Sequence, residues 1–426
     1  ELSGMDVPGL IRVTDPESEL GAIGPVHAGL DPTTLAAVFG GAIKPITYQG
    51  FVIHVDGSGS SPNPPALAPL WLGIPASSGK RMAVEYVANG PVPYWGGVLH
   101  SSSALRFVYS SNTTPQVAQD WSNYDLLEGV SNVGAPDLAI WGSHLVIGYV
   151  DHTTTTLVLL VSDDLAPVAR TDWQRHDLLY SFGAGDDLLA LTKVGTTRLA
   201  MLFIRNGSSE VAETIAAAPW AESDWTTLQL ASVLPSKYDP LYPIAYALTT
   251  SGLSATYCTP AMPGMPRMPM VGISADPTPA SPSDWYQGVL TWGAPITAPF
   301  AQPVGVHNGS TLIALPAGSN IASLSVARTA TPVYSNYTDG GDSVAGQLNP
   351  RAVATSNGEV MVIEQASGGS QLELWALTAA YPTRRAYITE SSSASPMALA
   401  ASPGGDLCLF FSNGFAQGFA AVLPHS

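Results

Sequence analysis

Four carboxylates stand in short apolar runs that could hold an acid out of water: Asp56 in IHVDG, Glu85 in VEYV, Asp151 in YVDH and Glu364 in VIEQ. Two such groups facing each other across a cleft would suit general acid–base cleavage of a sugar linkage. Each also suits a hairpin end or a rim. Four histidines, His54, His100, His152 and His307, fall at the ends of predicted strands. His100 and His152 occupy matching places in two copies of a repeat, so imidazoles on one face of neighbouring units could ligate a metal or touch a ligand. The run CTPAMPGMPRMPM spaces Met262, Met265, Met268 and Met270 by Pro and Gly near Cys258. Thioethers are soft ligands suited to Cu(I), although flexible Met side chains equally cover apolar surface or meet a partner. YTDGGDS and GAGDDLL offer oxygen ligands to Ca²⁺ without the EF-hand spacing. Apart from these metal candidates, no cofactor is expected. The chain has no G-x-G-x-x-G, Walker loop, H-E-x-x-H, C-x-x-C or G-x-S-x-G, so nucleotide, zinc-protease and serine-hydrolase chemistry lack a motif.

Composition narrows the partners. Only 12% of the 426 residues are charged, and the net charge is −17. Nucleic acids and anionic membranes need basic surface, so neither is expected as a partner. No run is long enough for a membrane-spanning helix; the best, Leu138 to Val150, is broken by Gly-Ser-His and reads as two strands. With four lysines and a first residue that is Glu rather than Met, the chain fits a processed extracellular, cell-surface or periplasmic protein, or simply one cut at that point. Cys258 and Cys408 could pair; the reading favoured here is two buried thiols, since Cys408 lies in LCLFF. Sequons at Asn112, Asn206, Asn308 and Asn336 all fall in predicted turns.

The elements that would position these residues are short Val-, Leu-, Ile- and Tyr-rich runs between Gly, Ser, Asn and Pro, the grammar of an all-β protein. The one helical candidate is DPTTLAAVF, Asp31 to Phe39. Asp-Trp pairs recur at Trp121, Trp173, Trp225 and Trp285, at intervals of 52, 52 and 60 residues. The first two copies align without a gap from His100 and His152 to Leu127 and Leu179, sharing a Ser, a Pro five residues on, the Asp-Trp and an Asp-Leu-Leu. Each copy supplies about four strands in about fifty residues, the size of a propeller blade.

The Ser-x-Asp of Ser162 to Asp164 and Ser274 to Asp276, followed by a Trp that opens a strand, resembles the Asp-box (BNR) repeat of sialidase-like propellers. Ser110 to Asn112 has Asn in the third place, and the loop here is longer than the family's and carries Pro. The resemblance implies a propeller with structural boxes. Sialidase activity would further need three arginines at equivalent strand starts, and the twelve arginines do not fall into that pattern.

Residues 45–426 therefore read as a β-propeller of seven blades with four antiparallel strands each, six or eight being compatible with the count. Ile46 to Asp56 or Arg81 to Val87 is expected to complete the last blade. Residues 1–44 read as an irregular arm that could pack on the ring or reach a second copy. The functional expectation is a binding or assembly module whose face loops recognise glycan or protein, with Trp95, Trp141, Trp292 and Tyr334 as exposed aromatics beside His100, Asp151 and His152. The alternative is a glycoside hydrolase or polysaccharide lyase with carboxylates in the central cleft.

Overall fold

A computed structural model describes residues 47, 48, 51, 52, 69–76, 82–178 apart from 102, 130 and 131, and 397–424 apart from 414. Between 179 and 396 it describes the strands, the turns preceding Trp225 and Trp285, and a few adjoining residues. The chain divides into two units, Glu1–Pro65 and Ala66–Ser426. In the first, Thr47–Tyr48 pairs with Phe51–Val52. The helical candidate Asp31 to Phe39 and the rest of the arm lie outside the described residues.

The second unit is a β-propeller. Its described strands form seven four-stranded antiparallel sheets, each laid out in chain order from first strand to fourth with one exception. Blade 1 is Ala83–Val87, Tyr94–His100, Ala104–Ser110 and Trp121–Glu128. Blade 2 is Asp137–Trp141, His144–Asp151, Thr156–Ser162 and Trp173–Leu178. Blades 3, 4, 5 and 6 begin at Leu189–Val194, Ala245–Thr249, Val304–Asn308 and Leu348–Ala354. The first strand of every blade packs on the first strands of its two neighbours, and blade 7 returns to blade 1, which closes the ring.

Blade 7 is the exception in chain order. Met397–Ala401, Leu407–Ser412 and Gln417–Leu423 come from the C-terminal end, and Leu70–Pro75 supplies the fourth strand. An N-terminal strand thus closes the ring, as expected, but neither expected segment is that strand. Ala83–Val87 is the innermost strand of blade 1, and the closing strand is LWLGIP. It was hidden by its irregularity: Gly73 has φ 71° and the pairing slips between Trp71 and Pro75. Leu72 and Ile74 still alternate inward, while Trp71 stays 53% exposed.

The repeated skeleton has a mechanical explanation. Ser110, Ser162, Thr214 and Ser274 each pair across the sheet with the station tryptophan, Trp121, Trp173, Trp225 and Trp285. One turn of 3-10 helix precedes each Trp and ends on the Asp. The Asp carboxylate folds back over that turn. Asp120 Oδ2 accepts the N–H groups of Gln116 and Val117 at 2.8 and 3.1 Å, and Asp172 Oδ2 those of Val168 and Ala169 at 2.8 and 2.9 Å. Asp224 and Asp284 do the same for Ala221 and Ser281, both at 2.8 Å. The Ser hydroxyl donates to a backbone carbonyl two residues on, that of Asn112 or Asp164. Backbone groups that the strand cannot pair are thereby satisfied.

The closed turn delivers the indole to the preceding blade. Trp121 meets Phe410 of blade 7 edge-on at 5.3 Å. Trp173 meets Phe107 of blade 1 at 5.3 Å and donates its Nε1–H to Tyr124 Oη at 2.8 Å. Trp225 lies in the apolar cluster shared by blades 2 and 3. Each seam is therefore a core of its own, and burying each such side chain contributes about 1.5–3 kcal/mol. The seam between blades 7 and 1 has little slack. A Cβ on Gly97 would overlap the Phe410 ring and stand 2.8 Å from the Ala83 carbonyl oxygen.

Candidate functional site: an aromatic cluster between blades 2 and 3

The blade geometry separates the residues nominated from sequence. His144 opens the second strand of blade 2 and Asp151 ends it; seven residues at ~3.3 Å per residue place about 23 Å between them. Asp151 and His152 therefore lie at one end of the blade, with His100 at the matching end of blade 1, and Trp141 lies at the other. They do not form one site.

At the first of these ends the groups have structural work. His100 is 4% exposed. The backbone N–H of His152 donates to the Asn132 carbonyl at 2.9 Å. Burial pushes the Asp151 carboxyl up, but Arg175 at 3.0 Å and the N–H groups of Thr153 and Thr154 outweigh it and hold the pKa below the usual range. Trp95, expected to be exposed, is fully enclosed; it donates its Nε1–H to the Thr113 carbonyl at 2.8 Å and meets Tyr86 edge-on at 4.8 Å. Both faces of a blade are buried against neighbours, so an aromatic near a strand end is core more often than surface.

Trp141 is 6% exposed, but it is the buried base of a ring cluster whose other members are partly exposed. It ends the first strand of blade 2, and two turn residues later His144 begins the second. The two rings stack at 6.2 Å and 27°. Across the same blade, His176 sits in the outer strand. Trp220 reaches over from blade 3 and lies flat on His176, with centroids 4.7 Å apart and planes 16° apart. It meets Trp141 edge-on at 5.7 Å and His144 at 6.4 Å. Trp220, His144 and His176 are all partly exposed.

The polar atoms of this cluster are defined. His144 Nδ1 lies 2.6 Å from the Ser162 carbonyl oxygen. A carbonyl only accepts, so Nδ1 carries the hydrogen and donates, and Nε2 is the remaining ring nitrogen. Burial lowers the His176 pKa, partly opposed by the Asp177 carboxylate, so the ring is neutral near pH 7 and has one donor and one acceptor. Gln174 donates to Asp163 at 2.8 Å on the adjoining outer edge. The arrangement offers an aromatic platform with two hydrogen-bonding imidazoles beside it. Sequence reasoning named Trp141 and missed His144, His176 and Trp220. A signal was present: Trp220 takes the place held by Gln116 and Val168 in the first two repeats.

A second cluster lies on the innermost strands. Glu85 in blade 1 is partly buried, and its pKa is pushed up to about 8 by desolvation and then by the charge of Asp137. Asp137 opens the first strand of blade 2, and its Oδ2 accepts the Leu191 N–H of blade 3 at 2.7 Å. Glu85 is thus a protonated carboxylic acid near neutral pH, beside a carboxylate held by backbone.

Other nominated groups fall elsewhere. Trp292, Met262, Met265, Met268, His54 and Asp56 lie outside the described residues. Met270 is in the third strand of blade 4, where it pairs with Tyr257 and Val289. Tyr334 opens the fourth strand of blade 5, His307 lies in its first strand, and Glu364 pairs with Glu373 within blade 6. Cys408 is a free, buried thiol, and burial raises its pKa. Among the described residues no three His, Cys, Asp or Glu side chains gather as metal ligands, and no helix is long and apolar enough to cross a membrane.

No family model and no curated protein matches the chain. Among solved structures it is similar to a mutant of the Aleuria aurantia lectin in complex with α-methyl-L-fucoside, at 13% identity and TM-score 0.47, covering 76% of this chain and 98% of that one. It is also similar to a fungal lectin described as a six-bladed β-propeller, at 13% identity and TM-score 0.44, covering 82% and 97%. A third is the GH93 α-L-arabinofuranosidase of Fusarium graminearum with arabinobiose, at 12% identity and TM-score 0.44, covering 67% and 92%. The seven closed sheets themselves define the class as a β-propeller.

Proposed function

We propose that this protein is a carbohydrate-recognition propeller that takes sugar at the aromatic cluster between blades 2 and 3. The observation that carries the reading is the partly exposed Trp220, held flat on His176 and braced by Trp141 and His144. An indole so held presents a rigid apolar face to the C–H face of a sugar ring at little entropic cost. The imidazoles beside it supply the directional hydrogen bonds that hydroxyl groups require. The test is a glycan array probed with the intact protein and with Trp220→Val. Binding to the array is expected, with a loss of roughly tenfold or more in the variant, the loss of about 1.4 kcal/mol of stacking and burial. Equal binding by both proteins would remove the cluster from the function.

A catalytic reading is favoured by the Glu85 carboxyl of the inner strand, whose pKa burial and then the charge of Asp137 push up to about 8. Such a pair suits a general acid and its partner carboxylate. Release of reducing sugar from oligosaccharides, abolished by Glu85→Gln, would support it. Under the recognition reading the Ser and Asp-Trp turns are scaffold, in the manner of Asp boxes. The protein then works outside the cell, and residues 1–44 serve assembly with other copies or a protein partner; native mass measurements with and without those residues test the last point.

A further inference from the structure

The four Asp-Trp stations share a Ser or Thr, a Pro and the Asp-Trp at fixed spacing, and vary at the positions between, of which one faces a neighbouring blade with an aromatic ring in a single copy. The residue five before the station tryptophan is Gln116, Val168, Trp220 and Ala280 in turn. In the frames of blades 1 and 2 this residue points away from the protein: Gln116 is exposed and Val168 is 64% exposed. In blade 3 it is the tryptophan that covers His176. The place His176 occupies, three residues after a station tryptophan, is held in blade 1 by Tyr124, whose hydroxyl is already engaged by Trp173 Nε1 at 2.8 Å. Blades 1 to 4 join their third and fourth strands through ten residues, 111–120, 163–172, 215–224 and 275–284. Blades 5 and 6 use only 328–333 and 378–381, and blade 7 draws its fourth strand from the N-terminal side and has no such connection. Only one of the connections, by sequence, carries an aromatic platform in that place.

The surroundings bear on the ligand as well. Asp177, next to His176 in the strand, is ion-paired with Arg175 at 2.8 Å, so the like charge comes from Asp163 at the outer edge of the blade and from the chain's net charge of −17. An acidic sugar would meet like charge there.

We propose that each chain binds carbohydrate at a single station, between blades 2 and 3, that its ligand is an uncharged sugar, and that the residue five before the station tryptophan sets this valency. This rests on the carbohydrate-recognition reading and goes further, since repeat symmetry alone would give several equivalent stations.

The test is isothermal titration of the full chain with the methyl glycosides of fucose, galactose, mannose and N-acetylglucosamine, and with sialyllactose. One equivalent per chain is expected for the uncharged probe that binds, and no heat for sialyllactose. Trp220→Val should weaken binding at least tenfold, with its thermal midpoint measured alongside, and Trp220→Phe should keep most of the affinity. Val168→Trp should add a second equivalent over Tyr124. Two or more equivalents in the parent chain, binding unaltered in Trp220→Val, or a Val168→Trp protein that still takes one equivalent would overturn the inference while leaving carbohydrate recognition standing. Failure of every uncharged probe, here and on the glycan array, would instead sink the carbohydrate reading and the inference with it.

Discussion

Replacing Glu85 by Gln should stabilise the propeller, and by an amount that depends on pH in a defined way. The folded pKa is pushed up to about 8, against an ordinary value of 4.5. The folded state therefore holds a proton that the unfolded state has released, throughout the interval between these values. Stability falls as pH rises across that interval and levels off above it. The difference, at about 1.4 kcal/mol per pH unit, has an upper bound of about 5 kcal/mol, and partial exposure of the side chain reduces this to roughly 3 kcal/mol. Gln keeps the shape and polarity of the protonated acid and has nothing to titrate. The parent and Glu85→Gln should be nearly equal in urea unfolding at pH 4.5, diverge steadily above it, and differ by roughly 3 kcal/mol at pH 8.5. Asp137→Asn removes the like charge and retains an acceptor for the Leu191 N–H. In that background the Glu85 pKa should fall, so the divergence should level off at lower pH and reach a smaller final value. A difference between parent and variant that stays flat with pH, or that shrinks as pH rises, would refute the placement of Glu85 in a desolvated inner strand beside a carboxylate.

Three further outcomes follow from the packing. Gly97→Ala should cost about 1–3 kcal/mol in urea unfolding, because the new methyl overlaps Phe410, and Phe410→Leu in the same chain should recover part of the loss. A chain beginning at residue 77 loses the closing strand, and the burial of Leu72 and Ile74 alone accounts for ~3–6 kcal/mol; it should unfold with a broadened or lost cooperative transition, whereas a chain beginning at residue 66 should not. Asp172→Ala should speed hydrogen exchange at the Val168 and Ala169 amides without altering that of the blade 2 core; since those N–H groups hold the Asp172 carboxyl below its usual range, the parent should show the same loosening only as pH falls through that lowered value.

The fold was legible where the sequence repeats itself. A Ser, a Pro and an Asp-Trp at fixed spacing cannot be kept by packing of unrelated segments, and the shared register of Ser110, Ser162, Thr214 and Ser274 with their tryptophans is the physical cause of that spacing. The closing strand was illegible for the opposite reason. LWLGIP belongs to no repeat, is bent by Gly73 in the left-handed region, and takes its partner, Gln417–Leu423, from the far end of the chain. Local pattern carries no trace of a partner that distant. Burial was misjudged at Trp95 and Trp141 because strand position was read as though one face of each sheet met water. In a ring of blades both faces meet neighbours, and only the strand ends and the outer strand stay open.

That geometry also separates residues that the repeat fixes from residues that it leaves free to vary. Residues that keep the frame, such as Asp172 and Trp173, spend their polar and apolar groups on the turn and the seam. A position that the frame leaves pointing outward, as it leaves Val168, can vary without cost to folding. When such a position holds a tryptophan that lies back on a neighbouring blade, as Trp220 does on His176, it packs on the seam cluster and still keeps part of its surface exposed. The repeated skeleton thus marks what holds the propeller together, and the positions it leaves variable, Gln116, Val168, Trp220 and Ala280 among them, are where one blade can differ from the next.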